Sequence, residues 1–91
     1  MFSIIMPSLN PNLSKIFLTL NSIFLNSGNF EVILVLQKTS KKKEEKIKTE
    51  FSLNNDLKII NDSGEGISRA RNIAIKASIG NWILLLDDDV I

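Results

Sequence analysis

Four short apolar runs, separated by stretches with helical periodicity, restrict what this chain can fold into. The runs are 2–6, 30–36, 57–60 and 82–86. Between the first two, Leu13, Ile16, Phe17, Leu20, Ile23 and Phe24 recur at spacings of three and four, one face of an amphipathic helix. Residues 41–51 hold good helix formers with only Ile47 and Phe51 as an apolar stripe, and Ala70, Ile73, Ala74 and Ala77 give a third helix a thin apolar face. The order β-α-β-α-β-α-β implies a parallel sheet with helices on its faces, and right-handed crossovers prune the topologies. The expectation is a three-layer α/β domain with a mainly parallel four-stranded sheet in the order 3-2-1-4. That is half of a doubly wound, Rossmann-like fold, with a switch point between the first and fourth strands.

Local signals refine these elements. Pro7 is expected to stop the first strand, because proline cannot donate to a ladder. Asn10 followed by Pro11 reads as a capping side chain and a first helical residue. Gly28 is placed to end that helix in the left-handed conformation. Ser68 reads as the cap of the third helix and Gly80 as its end. The lysine-rich helix 41–51 is expected to be exposed and loosely held, with an ion pair such as Lys41–Glu45. Acidic residues interrupt its lysines and no aromatic residues flank them, so it reads as a solvated face rather than a nucleic-acid site.

Composition narrows the chemistry. Ninety-one residues make one small domain or part of a larger one. With no cysteine and no histidine there is no disulfide framework, no thiolate metal site and no histidine base. Catalysis must then use carboxylates, lysine, hydroxyls or a cofactor. The net charge of +1 does not select a partner. No run is long enough to span a membrane, and the start lacks a basic leader region. The expected setting is the cytoplasm, free or at the inner face of the membrane.

The run WILLLDDD, residues 82–89, ends five apolar residues in three aspartates. It reads as a central strand buried on both faces, with carboxylates at the edge where open α/β sheets bind ligands. Three adjacent carboxylates repel unless water, a basic residue or a divalent cation is near. The alternative is a solvated acidic turn opening another helix. A parallel sheet brings Pro7-Ser8-Leu9-Asn10, Gln37-Lys38-Thr39-Ser40, residues 62–68 and residues 87–89 to one rim. Arg69 and Arg71 fall near the start of the third helix, where the dipole disfavours cations. Either they point to solvent or an anionic ligand or the aspartates offset the cost. Aspartates, arginines and a helix N-terminus together suit a diphosphate bound through Mg²⁺ or Mn²⁺.

SIIMPSLN, EVILVL and GISRARNIAIKASIGNWILLLDDDV resemble the amino-terminal half of a family 2 glycosyltransferase with a GT-A fold. The G-x-x-x-A-R-N element followed by an apolar strand and D-x-D is specific in combination. The resemblance implies a nucleotide-diphospho-sugar donor such as a UDP-sugar, a Mn²⁺ or Mg²⁺ ion, and transfer of the sugar to a saccharide or lipid-linked acceptor. It implies Asp89 as the principal metal ligand, Asp87 near the ribose and metal shell, and Asp88 at the variable middle position. It assigns Pro7, Ser8 and Leu9 to the base, and Gly66 and Arg71 to the nucleotide through the G-x-x-x-A-R-N element. Leu36 and Gln37 stand where the family usually carries aspartates after the second strand. Gln37 can accept a hydrogen bond from a uracil N–H and can also donate.

The acceptor half and the catalytic base are expected beyond Ile91, so residues 1–91 read as the donor-binding half of a truncated domain. The alternative is a catalytically incompetent nucleotide-binding fragment. A truncated sheet leaves an unpaired edge, so self-association through it is expected. Other families fit less well. Gly64-Glu65-Gly66 is followed by Arg69 where a dinucleotide fingerprint has its third glycine, and it follows the third strand rather than the first. No P-loop motif is present. LLLDDDVI also resembles the first motif of haloacid-dehalogenase-like phosphatases, but there the motif lies on the first strand of the core and here on the last.

Overall fold

The computed structural model describes residues 1–26 and 28–86. The elements are β1 (Phe2–Leu9), α1 (Leu13–Phe24), β2 (Phe30–Gln37), α2 (Lys41–Glu50), β3 (Leu57–Asp62), α3 (Ile67–Ala77) and β4 (Trp82–Leu85). All four strands are parallel, in the order β3-β2-β1-β4. The expected alternation and sheet order are both present.

Side chains alternate across a strand, and this divides the core in two. Met6, Val32, Leu34 and Leu36 face α1 and α2, where they meet Ile16, Leu20, Ile47 and Phe51. Ile5, Ile33 and Val35 face α3 and meet Ala70 and Ala74. The alanines let α3 sit close to the sheet. β2 is buried along its whole length except partly at Phe30, as befits a strand covered on both faces.

α2 is better anchored than its charged sequence suggests. Phe51 meets Phe17 edge-on at 5.8 Å and Phe24 at 6.0 Å between ring centres. Lys43 Nζ donates to the Pro11 carbonyl at 2.9 Å. The ion pair on this helix joins Glu44 to Lys48 at 2.7 Å rather than Lys41 to Glu45.

Several boundaries differ from expectation. Pro7 does not end β1 but pairs with Val35 within it. In a parallel strand alternate residues turn their polar groups to opposite flanks. Ile5 O accepts from Leu86 N on the β4 flank, and Pro7 shares that parity. Among the described residues the β1–β4 ladder covers only Phe2–Ile5, so the absent N–H of Pro7 costs no described ladder bond. α1 is capped by Asn12, whose side chain accepts from Lys15 N at 3.2 Å, and not by Asn10. Asn10 takes a left-handed φ of 52° and donates its N–H to Gln37 O at 2.8 Å. α1 ends at Phe24 with Leu25 as its C-cap, so Gly28 lies in the following loop. α3 starts after Gly66, not Ser68, and ends at Ala77, ahead of Gly80. β3 runs on to Asp62.

β4 is the largest departure. Among the described residues it pairs only with β1 and is the outermost strand, and it is exposed at all four residues rather than central and buried. The helices cover the sheet around β1–β3, and the β4 side chains stay about half exposed or more.

Candidate functional site

Parallel strands deliver their carboxyl ends to one rim, and the register shows which residues meet there. Leu9 pairs with Gln37, Gln37 with Asp62, and Ser8 with Leu36. Pro7 and Ser8 are buried and Leu9 is exposed. Gly66 follows β3 by one short loop and is the N-cap of α3, with φ 116°. That φ suits glycine and not side-chain-bearing residues. No side chain caps α3, so its first-turn N–H groups are left for the rim. Arg71 is half-buried on α3, just past the first turn. Asp87 and Asp89, expected as metal ligands, and Asp88 between them, lie outside the described residues. Among the described residues no cluster of three or more acidic, histidine or cysteine side chains is placed to hold a metal ion.

The centre of the described rim is the carboxylate of Asp62, the last residue of β3. Asp62 is 7% exposed. Its Oδ2 accepts from Arg69 Nε at 2.8 Å and from Gln37 Nε2 at 2.9 Å. Its Oδ1 accepts from Arg69 Nη2 at 2.9 Å and from Gly64 N at 3.2 Å. The two-pronged guanidinium contact is the geometry that makes arginine–carboxylate pairs strong. Arg69, then Gln37, hold the Asp62 carboxyl well below the usual carboxylate range, and Asp62 in turn raises Arg69. Asp62 stays ionised, so it can only accept, and this fixes Gln37 with its NH₂ toward β3. Gln37 itself is buried.

Gly64 completes this clasp. A Cβ there would collide with Arg69 Nε and lie 2.7–2.8 Å from Cδ and Cζ, so only glycine lets the guanidinium cross the loop. Lys38 and Glu65 close the loop on its solvent side with an exposed ion pair of 2.9 Å. Arg69 therefore has the offsetting anion that its place at a helix start demands. The signal was available in sequence as an aspartate two residues after an apolar run, two before a glycine and seven before an arginine.

A rim of this kind, with an open helix N-terminus at the ends of parallel strands, suits an anionic ligand. The chain matches the Glycosyl transferase family 2 model over residues 3–91 and belongs to that family. It is 37% identical over 90 residues to an uncharacterized glycosyltransferase of Haemophilus influenzae, covering 98% of this chain and 29% of that protein. Among solved structures it resembles Staphylococcus aureus TarS 1–349 in complex with UDP, with a TM-score of 0.79 and 29% identity. That match covers 97% of this chain and 27% of TarS 1–349. It also shares the fold of the mannosyltransferase PcManGT from Pyrobaculum calidifontis, solved with GDP-Man and Mn²⁺, at a TM-score of 0.84 and 19% identity. That match covers 97% of this chain and 27% of PcManGT. The fold is thus that of GT-A glycosyltransferases, and the chain spans less than a third of the length of each of these relatives.

Proposed function

We propose that this chain forms the donor-binding part of a family 2 glycosyltransferase, holding a nucleotide-diphospho-sugar for transfer of its sugar to a saccharide or lipid-linked acceptor. The observation that carries this reading is the meeting of three polar segments at one rim beside the uncapped start of α3, with Gln37 and Arg69 both tied to Asp62. In this reading Pro7, Ser8, Leu9 and Gln37 line the base side, and Gly66 and Arg71 lie toward the phosphates. Asp87 and Asp89 supply the hard oxygen donors that Mn²⁺ or Mg²⁺ prefers. When bound, the metal neutralises charge on the departing nucleoside diphosphate. The chain's own groups orient the donor: backbone N–H groups of α3 meet phosphate oxygens, and the clasp keeps the 62–66 loop in place.

Two carboxylates without phosphate make a weak site for these ions, which keep several waters and rely on substrate oxygens. Metal and nucleoside diphosphate should therefore each raise the affinity of the other, as linkage requires. Calorimetry of UDP and GDP binding with and without Mn²⁺ tests this, and equal affinity in both conditions would sink the metal-bridged arrangement. A second reading is a nucleotide binder without turnover. Release of free sugar from a UDP-sugar in the presence of Mn²⁺ separates the two.

A further inference from the structure

We propose that Ser3 and Glu31, at the end of the sheet away from the rim, are positioning residues for the rim: with Gly80 they pin the register of β4 on β1 and so set how far residues 87–89 are carried. The pin rests on bonds within the structure. Its consequence for the aspartates rests on the donor-binding reading.

The need for a pin lies in the sequence of β4. Register is strongly set where apolar and polar residues alternate, because a slip of one residue exchanges the two faces of a strand. Residues 82–86 read WILLL and do not alternate. A slip of one residue exchanges two apolar faces, and a slip of two keeps the faces as they were. Burial therefore does not select the observed pairing of Phe2 with Trp82 and Ile5 with Leu85. This holds whatever packs on the strand.

Polar groups supply what the apolar run lacks. Ser3 and Glu31 lie opposite one another on β1 and β2, on the sheet face that meets α3, and both are buried. Glu31 Oε2 accepts from Ser3 Oγ at 2.6 Å and from the Ile79 N–H at 2.7 Å, and Ser3 Oγ accepts the Gly80 N–H at 2.9 Å. The two N–H groups are consecutive, so the chain entering β4 has one position in which both are met. A Cβ on Gly80 would collide with Ser3 Oγ and lie 2.9 Å from Met1 O and Ser3 N. Met1 O then takes the Asn81 and Trp82 N–H groups, at 2.9 and 3.3 Å, and the ladder begins. A slipped strand would strip partners from a buried carboxylate, which is costly. Buried charge is a poor source of stability but well suited to fixing register.

A strand rises about 3.3 Å per residue, so a slip of one or two residues would carry the chain beyond Leu86 by about 3–7 Å. Bonds from oxygen to Mg²⁺ span only about 2.1 Å. A slipped register would therefore not bring the same carboxylate to the same ion.

Nuclear magnetic resonance of the 91-residue chain, with calorimetry of UDP binding with and without Mn²⁺, tests this. Trp82 is the sole tryptophan, so its indole N–H reports the register. The parent chain and Glu31→Gln, which keeps an oxygen for Ser3 and Ile79, should each give one indole signal, slow exchange at the Leu86 amide and a Mn²⁺ gain in UDP affinity. Ser3→Ala and, separately, Glu31→Leu should give several indole signals, fast exchange at Leu86 and loss of the Mn²⁺ gain, with slow exchange retained along β2. Glu31→Leu removes a buried charge, so its loss of register need not follow a loss of stability. One indole signal with a protected Leu86 in both of these variants overturns the pin. So does unfolding of both, which would make the bonds structural props. A Mn²⁺ gain that survives mixed registers overturns the positioning role alone. A parent chain in one register without a Mn²⁺ gain overturns the donor-binding reading and the positioning role with it, and the indole signals still decide the pin.

Discussion

Ser3 and Glu31 lie directly opposite one another on β1 and β2, and Ser3 Oγ donates to Glu31 Oε2 at 2.6 Å. Both are buried, at the end of the sheet away from the candidate site. Glu31 also accepts the Ile79 N–H at 2.7 Å and forms an ion pair with Lys58 Nζ at 2.8 Å. Ser3 Oγ accepts the Gly80 N–H at 2.9 Å. A Cβ on Gly80 would collide with Ser3 Oγ, so the loop leading into β4 reaches this bond only through a glycine. One carboxylate thus ties β1, β2, β3 and the α3–β4 loop together.

Acid should undo this tie. Burial alone would raise the Glu31 carboxyl, but the Ile79 N–H, Lys58 and Ser3 outweigh it and bring it from 4.5 to about 2. A folded value below the ordinary one means stability that is fully present above pH 4.5 and lost as pH falls toward 2. Glu31→Gln should cost on the order of 1–3 kcal/mol at neutral pH, the range for leaving buried partners unsatisfied. Denaturant unfolding of the variant should vary less between about pH 5 and pH 2 than that of the parent chain. An unaltered acid slope would count against the assignment.

Phe51 should be worth more than the charged helix around it. Phe51→Ala opens the cluster with Phe17 and Phe24 and is expected to cost about 3–5 kcal/mol. For a domain this small that is a large part of the total. Calorimetric unfolding would show it, and loss of under about 1 kcal/mol would mean that α2 is held by its ion pairs instead.

Gly64→Ala should break the clasp without unfolding the domain. The added methyl displaces Arg69 from Asp62, and the flexible arginine can swing to solvent. The expected result is a retained fold with a loss of about 1–3 kcal/mol in stability, faster amide exchange at residue 64, and weaker UDP binding. Full UDP affinity with Arg69 displaced would show that the clasp does not shape the site.

The fold was legible because periodicity is a local property. Alternation of apolar runs with spacings of three and four gives strands, helices and parallel sense without knowledge of contacts. Boundaries were not, because each was decided by a residue far along the chain. Asn10 lost the cap to Asn12 when its N–H went to Gln37 O on β2. Asp62 joined β3 because Gln37 lies opposite it. Glu31 is the single charge in the run 30–36, and its partners come from Ser3, Lys58 and Ile79. Similarly, parallel sense was enough to assemble the rim, but the bond between Gln37 and Asp62 needed strand register. β4 was expected to be buried because its sequence is apolar throughout; apolarity shows that a strand wants cover, not that cover is present.

Asp89→Asn gives the sharpest test of the donor site. On the proposed reading it should abolish any increase in UDP affinity with Mn²⁺, while Asp88→Asn should have a smaller effect. Titration calorimetry of both variants checks the pair, and equal losses would place the ion elsewhere among the aspartates.

The unequal ladders have a kinetic consequence. Among the described residues β1 is zipped to β2 over Phe2–Leu9 but to β4 only over Phe2–Ile5, and β4 follows the other strands in the sequence. Closing so long a loop costs entropy that four short residues repay slowly. β4 is thus the last strand to dock and the first to leave, while β1, β2 and β3 remain a cooperative unit of higher opening free energy. The chain would breathe by shedding one strand, and whatever lies between β1 and β4 at the rim would be held only while that strand is home.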